Sequence, residues 1–231
     1  MALKPIILYG KPPGPNPFKV DVLLKELGLP YETSPLTLAQ VKSPEYTAIN
    51  PNGRYPAIYD PNTGITLWES GAIVEYLVET YDAQEHRLSF PAGSAEAYHA
   101  KQWLYFQATG QGPYYGQFAW FTKFHHEKLP SALERYAKEI NRVSGVLDAW
   151  LEKQQKQEYS SESESGGPWL VGGKLSYADL AFVPWQRMAG MFASQEQYDV
   201  NQFPYVKAWM EKMLARESVR ETIANNPPPG R

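Results

Sequence analysis

Two short segments, residues 50–56 and 68–73, carry residue types that could bind a small charged molecule. Ser70 precedes apolar residues at helical spacing from Ile73 onward, which predicts that Ser70 caps a helix. The free N–H groups and partial positive charge of a helix start favour a carboxylate, whereas the neighbouring Glu69 is suited to an ammonium. Such a pair is typical of a site for the end of an α-amino acid. Alternatively, Ser70 only caps the helix and Glu69 is a solvated turn residue.

The segment before this helix predicts a turn followed by a strand. Residues 50–53, Asn-Pro-Asn-Gly, are a turn signal, and residues 57–59 are typical of a short strand. On composition alone the peptide bond before Pro56 is expected to be trans, because only about 5–6% of X-Pro bonds in folded proteins are cis. The segment can present a backbone N–H and C=O to an extended peptide.

The composition excludes several classes of function. The 231 residues are 43% hydrophobic and 14% aromatic, enough for a sizeable core, and carry a net charge of −3. Because no basic stripe is present to neutralise phosphates, a nucleic-acid partner is not expected. No apolar run approaches the roughly 18–20 residues of a membrane helix, and residues 1–11 lack a secretory signal. We therefore expect a cytoplasmic protein.

The chain has no cysteine and four histidines. It cannot attack with a thiol of its own, so any sulfur chemistry must come from a ligand. The histidines show no H-x-H or H-E-x-x-H spacing, so no metal site is expected.

The order of predicted elements is that of a thioredoxin-like α/β domain. In its first helix we expect Asn16 as the N-cap, Pro17 as the first helical residue and Gly28 at the end. A second helix is predicted from Ser70. Strands are predicted over residues 6–9, 31–34, 57–59 and 65–68.

Beyond residue 94 the strand signals disappear and helical patterns follow. We expect a first domain over residues 1–86 and an all-helical domain over residues 94–231. The polar, low-complexity residues 153–167 are expected to form a loop. Ser176 and Asp179 form an S-x-x-D capping box before an apolar run, which indicates a structural rather than a catalytic Asp179.

These motifs resemble glutathione transferases over nearly the whole chain. The most similar branch is the fungal one that contains the yeast nitrogen-catabolite regulator, with the bacterial nu-class enzymes close by. The resemblance implies the two-domain architecture of that family, glutathione as the bound substrate and a homodimer. It is carried by Pro15-Asn16 with Phe18-Lys19-Val20, Pro44-Glu45-Tyr46, Asn50-Pro51, Arg54-Tyr55-Pro56, residues 68–73, Glu134-Arg135-Tyr136 and residues 175–185.

The resemblance also implies which residues bind glutathione. Glu69 and Ser70 would hold its zwitterionic end. The backbone of Tyr55 would pair with the cysteinyl unit beside Pro56, whose peptide bond is cis in the family. Either Arg54 or Lys42 could pair with the glycine carboxylate, although each could equally be a solvated cation.

Asn16 is the candidate donor to the glutathione sulfur, because the family places an Asn beside it. As N-cap its side-chain oxygen would accept from the N–H of Lys19, leaving the NH₂ free for the sulfur. The alternative, that Asn16 only caps the helix, predicts the same sequence. Many family members carry Ser, Thr or Cys about two positions earlier, where this chain has Gly14 and Pro15. The absence of a hydroxyl or thiol there bears on the efficiency of conjugation and not on the binding of glutathione.

A second substrate is expected against aromatic residues of the helical half, although core packing is the alternative for each of them. The glycines among these residues are expected to bend or interrupt a helix. The candidates are Trp103, Phe106, Tyr114 and Phe121.

Two functions of different classes are compatible with these residues. The first is a glutathione-dependent enzyme that conjugates glutathione to electrophiles, as in detoxification, or reduces disulfides or peroxides. The second is a catalytically weak regulatory or ligand-binding protein that keeps the glutathione-binding fold.

Overall fold

The structure of the protein is a computed structural model that describes residues 2–10, 14–158 and 166–225. The chain folds as two compact units. One comprises the residues up to Ser89 together with those from Arg216 onward, and the other runs from Phe90 to Ala215. The domain boundaries at 1–86 and 94–231 stay a prediction.

The first unit has a four-stranded mixed sheet with the predicted thioredoxin-like order. The strands lie in the order β2-β1-β3-β4, with β1 and β2 parallel and the other two pairs antiparallel. The helix between β1 and β2 provides the crossover that a parallel pair requires. In chain order the elements are β1 (Ile6–Tyr9), α1 (Pro15–Glu26), β2 (Tyr31–Ser34), a 3₁₀ turn (Gln40–Lys42), α2 (Pro44–Thr47), β3 (Ala57–Asp60), β4 (Ile65–Trp68) and α3 (Ser70–Tyr81).

Helix α1 begins earlier than predicted, so the prediction that Asn16 caps it was wrong. Gly14 occupies the N-cap without a side-chain hydrogen bond, and Pro15 rather than Pro17 is the first helical residue. Either proline fits the first turn, because N–H groups there have no partner inside the helix. Gly28 follows the end of α1 with a φ of +66°, as expected.

The secondary-structure elements of the second unit, among its described residues, are all helical. The π-helical turn confirms the expected interruption at the glycine-rich stretch. Because α6 continues to Glu158, residues 153–158 are helical, which corrects the loop predicted from residue 153, and residues 159–165 lie outside the described part. The elements are α4 (Ala95–Phe106), a π-helical turn (Gln107–Gln111), α5 (Gly112–Lys123), α6 (Pro130–Glu158), α7 (Tyr177–Phe192), a 3₁₀ turn (Val200–Gln202) and α8 (Pro204–Leu214).

The predicted capping box is present at the start of α7. The buried carboxylate of Asp179 accepts hydrogen bonds from the N–H groups of Leu170 (2.9 Å) and Ser176 (3.0 Å) and from Trp209 Nε1 (3.0 Å). Asp179 thereby joins three segments of the helical unit, which confirms its structural role.

A last helix, α9 (Glu217–Ala224), belongs to the first unit. Arg216, just before it, donates from Nε and Nη2 to the carboxylate of Glu26 at 2.6 and 2.7 Å. Lys25 Nζ donates to the hydroxyl of Thr222 at 2.9 Å. These contacts fasten the C-terminal helix to α1.

Candidate functional site

The first residue of α3 meets a buried lysine of α1. Lys19 Nζ lies 3.1 Å from Ser70 Oγ, and the two residues are only 2% and 7% exposed. The prediction that Ser70 is the N-cap was wrong: Glu69 occupies that position, and Ser70 is the first helical residue. The hydroxyl of Ser70 accepts from Lys19 and thereby joins the starts of the two helices.

Burial makes Lys19 an unusual cation. Loss of hydration disfavours its ammonium and lowers its pKa to about 7, while the nearby charge of Glu69 acts in the opposite direction. At neutral pH this amine is therefore poised between its neutral and charged forms, and a further charge near it would change the balance.

Glu69 adopts a backbone conformation that side chains rarely take. Its φ is +72° and its ψ is 114°, and a non-glycine residue in such a region costs about 1–3 kcal/mol. Its carbonyl accepts the N–H of Ile73 at 2.9 Å, which begins the hydrogen bonding of α3. The side chain of Glu69 is exposed. The strained turn therefore directs a carboxylate outwards beside the buried hydroxyl of Ser70.

The peptide bond between Tyr55 and Pro56 is cis. This corrects the expectation from composition and agrees with the resemblance. The preceding carbonyl, that of Arg54, accepts hydrogen bonds from Tyr46 Oη at 2.8 Å and from Asn50 Nδ2 at 2.5 Å. Among the described residues, none of the backbone hydrogen bonds outside regular helices and strands uses the Tyr55 peptide. The hydrogen bonds to the Arg54 carbonyl thus hold the segment before β3 in place. None of these bonds uses the N–H or the C=O of Tyr55.

The ring of Tyr55 lies against Gly14, at the start of α1. A Cβ built on Gly14 would lie 3.0 Å from Tyr55 Cε2 and 3.3 Å from Pro17 Cδ. The residue at position 14 therefore has little room for a side chain, which gives a physical reason for the glycine.

The remaining candidates lie at the edge of the first unit. Lys42 and Arg54 are both exposed. Lys42 Nζ would lie 3.1 Å from a Cβ on Gly53, so the lysine lies along the turn before β3. Asn16 is half-buried in the first turn of α1, three residues before Lys19 and therefore on the same helix face.

The four aromatic candidates of the helical unit separate into two groups. Trp103 is 5% exposed and packs in the core, with ring centroids 5.7 Å from Phe106 and 6.2 Å from Phe182. Tyr114 and Phe121, in contrast, both contact Tyr136 of α6, at 6.4 and 5.8 Å. The guanidinium of Arg135 lies over the Tyr114 ring, 5.7 Å from its centroid. This half-buried group is the more accessible of the two.

Within residues 2–10, 14–158 and 166–225, no cluster of three or more potential metal-ligating side chains occurs. The same part of the chain contains no helix that combines the length and the apolar character needed to cross a bilayer.

Comparison with known families gives two matches. Residues 4–79 match the N-terminal domain of glutathione S-transferase, and residues 113–217 match its C-terminal domain. The chain belongs to the glutathione S-transferase family.

Fungal proteins are among the relatives of this chain. Glutathione S-transferase-like protein gedE of Aspergillus terreus is 57% identical over 228 residues, covering 98% of each chain. The transcriptional regulator URE2 of Saccharomyces cerevisiae is 35% identical over 239 residues, covering 94% of this chain and 67% of its own. The glutathione transferase URE2P6 from Phanerochaete chrysosporium, in complex with oxidized glutathione, superposes with a TM-score of 0.86 at 44% identity over 96% of each chain. These matches confirm the predicted family and architecture.

The contact between Lys19 and Ser70 was not predicted from the sequence. The sequence predicted only a backbone N–H donor at Lys19 and its place in the Phe18-Lys19-Val20 motif. The available signal was a lysine between two apolar residues, Phe18 and Val20, which the structure shows to be 4% and 0% exposed. Lysine is almost never buried without a partner, so a lysine at such a position indicates a specific contact.

Proposed function

We propose that this chain binds glutathione along its first unit and uses the bound thiolate either to attack electrophiles or to reduce disulfides and peroxides. The observation that carries the proposal is the start of α3, where the left-handed Glu69 presents its carboxylate beside the N–H groups of a helix and the hydroxyl of Ser70. A helix start with an adjacent carboxylate matches the carboxylate and the ammonium of a γ-glutamyl group.

The other candidates complete a site for an extended tripeptide. The Tyr55 peptide, before the cis bond to Pro56, would pair with the backbone of the cysteinyl unit as a short β ladder. Lys42 or Arg54 would pair with the glycine carboxylate. The complex of URE2P6 with oxidized glutathione supports glutathione as the ligand.

Asn16 is the proposed donor to the glutathione sulfur. Lowering a thiol pKa from about 8.5 to about 6.5 takes about 2.7 kcal/mol of differential stabilisation. One hydrogen bond to a charged group supplies about 1.5–3 kcal/mol, and a helix start adds about 0.3–1 kcal/mol. One side-chain amide in the first turn of α1 is therefore sufficient. Because Asn16 does not cap α1, the capping alternative no longer competes with this role.

Both reactions balance without a protein thiol. In conjugation the thiolate forms a C–S bond while the leaving group departs with its electron pair. In disulfide reduction one glutathione thiolate forms a mixed disulfide with one substrate sulfur and the other sulfur leaves as a thiolate. A second glutathione then displaces the substrate and gives oxidised glutathione. Since the chain has no cysteine, both sulfurs must come from glutathione.

The second substrate is proposed to contact Tyr114 and Phe121 rather than Trp103, which packs in the core of the helical unit. Phe106 packs with the Trp103 group. The stacked rings of Phe121 and Tyr136, inclined by 15°, suit an aromatic electrophile. A cytoplasmic homodimer completes the proposal, and light scattering would then give twice the chain mass of 26.2 kDa.

A regulatory protein that binds glutathione without turnover is the second candidate. It is supported by the 35% identity to the transcriptional regulator URE2 and by Gly14, where many transferases carry a reactive side chain. Binding without turnover of either an aryl halide or a mixed disulfide would favour this candidate.

Titration calorimetry with glutathione tests the site. Ser70→Ala removes one hydrogen bond to the ligand carboxylate, so affinity should fall about 10- to 100-fold. Thr66→Ala, which truncates an exposed hydroxyl on β4, should leave affinity unchanged. No saturable heat in the wild-type chain, or equal affinities of the two variants, would contradict the proposal.

A further inference from the structure

Lys19 is a buried amine that the chemistry above does not use. It projects from the second turn of α1, and its Nζ donates to Ser70 Oγ at 3.1 Å. Ser70 is itself only 7% exposed, and a ligand that hydrogen-bonds to its hydroxyl would interact with the amine through that hydroxyl.

The charge of Glu69 acts on this amine and favours its charged form. The other lysine of α1, Lys25, lies 3.1 Å from Asp21 and 3.9 Å from Glu221 of α9. Among the acidic residues of the sheet is Asp60, whose carboxylate accepts hydrogen bonds from Tyr76 and Tyr81. The further acidic residues of the helices packed against α1 are Glu75 and Glu79 on α3 and Glu217 on α9.

We propose that Lys19 is a positioning residue that holds Ser70 for the ligand and takes up a proton when an anionic group binds there. This inference rests on the proposed glutathione site, because the γ-glutamyl carboxylate supplies the anion. Lys19 acts through Ser70 and does not touch the ligand.

The distances support the coupling. A carboxylate that accepts from Ser70 Oγ lies at most about 6 Å from Lys19 Nζ, since two hydrogen bonds of about 3 Å separate them. An opposite charge within about 4–6 Å favours the ionised form of a group. The unliganded amine has its pKa lowered to about 7 by burial, so the arriving carboxylate raises this pKa and the complex gains a proton. Affinity should therefore decrease as pH rises above about 7.

The experiment uses S-methylglutathione, because this ligand has no thiol proton to release. Calorimetry at pH 7.5 in two buffers of different ionisation enthalpy gives the number of protons exchanged on binding. The wild-type chain should take up about half a proton or more per ligand, and its affinity should fall about threefold or more between pH 6.5 and pH 8.5.

Two substitutions separate the hydrogen bond from the charge. Lys19→Gln can still donate to Ser70 but does not titrate, so its affinity should stay within about threefold of wild type at pH 8 with no proton uptake. Lys19→Met loses both the hydrogen bond to Ser70 and the titrating charge, and its affinity for the ligand should fall about tenfold at pH 7. Lys4→Met, at an exposed lysine of the same unit, should keep the uptake of the wild type.

The outcomes distinguish this inference from the proposed function. Absence of S-methylglutathione binding to the wild-type chain would overturn both. Binding without proton uptake, or with the same uptake in Lys19→Gln, would overturn the role of Lys19 alone and leave the glutathione site intact. If Lys19→Met does not fold, Lys19→Gln and the wild type give the same decision.

Discussion

Gly10 lies directly against the side chain of Tyr55. A Cβ on Gly10 would be 2.4 Å from Tyr55 Cβ and 2.8 Å from its Cγ, and Gly10 has a φ of +88°. Its N–H donates to the carbonyl of Ser34 at 2.9 Å, so the residue also ends the pairing of β1 with β2. The glycine therefore fixes where the Tyr55 peptide lies relative to the start of α1.

Gly10→Ala should destabilise the chain by about 2–5 kcal/mol, combining about 1–2 kcal/mol for the left-handed backbone with about 1–3 kcal/mol for overpacking. The matched control is Gly64→Ala, which has a φ of +77° and no neighbour within 4 Å. It should lose only the backbone part, about 1–2 kcal/mol. Urea unfolding measures both, and equal losses would mean that the Tyr55 contact adjusts without cost.

The local elements of the first unit could be predicted because their signals lie within a few residues. The strands over 6–9 and 31–34 agree with the structure. The same holds in the second unit for the capping box at Ser176. The contacts of Gly10 with Tyr55 and of Lys19 with Ser70 could not be predicted from the sequence, because the partners are 45 and 51 residues apart. Nothing local to either partner specifies such a contact.

Helix starts were the weakest part of the sequence-based predictions. The Pro-Asn-Pro run at residues 15–17 allows a start at either proline, and at α3 the sequence predicted Ser70 as the cap, one residue after the actual cap Glu69. The strained backbone of Glu69 decides the second case, and no residue pattern predicts a left-handed glutamate. The attachment of α9 through Arg216 and Glu26, 190 residues apart, was not predicted either.

Asn16→Ala should raise the pKa of the bound glutathione thiol by about 1–2 units, the equivalent of one hydrogen bond to a thiolate. Ultraviolet titration of the thiolate in the complex measures this shift. Affinity for S-methylglutathione should change by less than about threefold. The control Asn52→Ala, in an exposed turn, should leave the titration unchanged. An unshifted thiol in Asn16→Ala would remove Asn16 from the reaction.

The buried amine of Lys19 should make the unliganded chain more stable as pH rises. Its pKa is about 7 in the folded chain and about 10.4 when unfolded, so between these values the unfolded chain binds more protons. The free energy of unfolding therefore increases with pH, by at most about 2 kcal/mol from pH 7 to pH 8.5. Lys19→Met should lack the part of the increase in the free energy of unfolding that Lys19 contributes in the wild type, and Lys4→Met should keep it. Parallel curves for wild type and Lys19→Met would contradict the assignment.

Arg216→Met should loosen the C-terminal helix. It removes two hydrogen bonds from the carboxylate of Glu26, which is left with the hydroxyl of Ser218, and the cost should be about 1–3 kcal/mol. The matched control is Lys156→Met, because the exposed pair of Lys156 with Glu152 is also short, at 2.8 Å, and should contribute less than about 1 kcal/mol. Hydrogen exchange should show faster opening of α9 in Arg216→Met alone. Comparable effects of the two variants would mean that burial of Glu26 adds nothing to the pair.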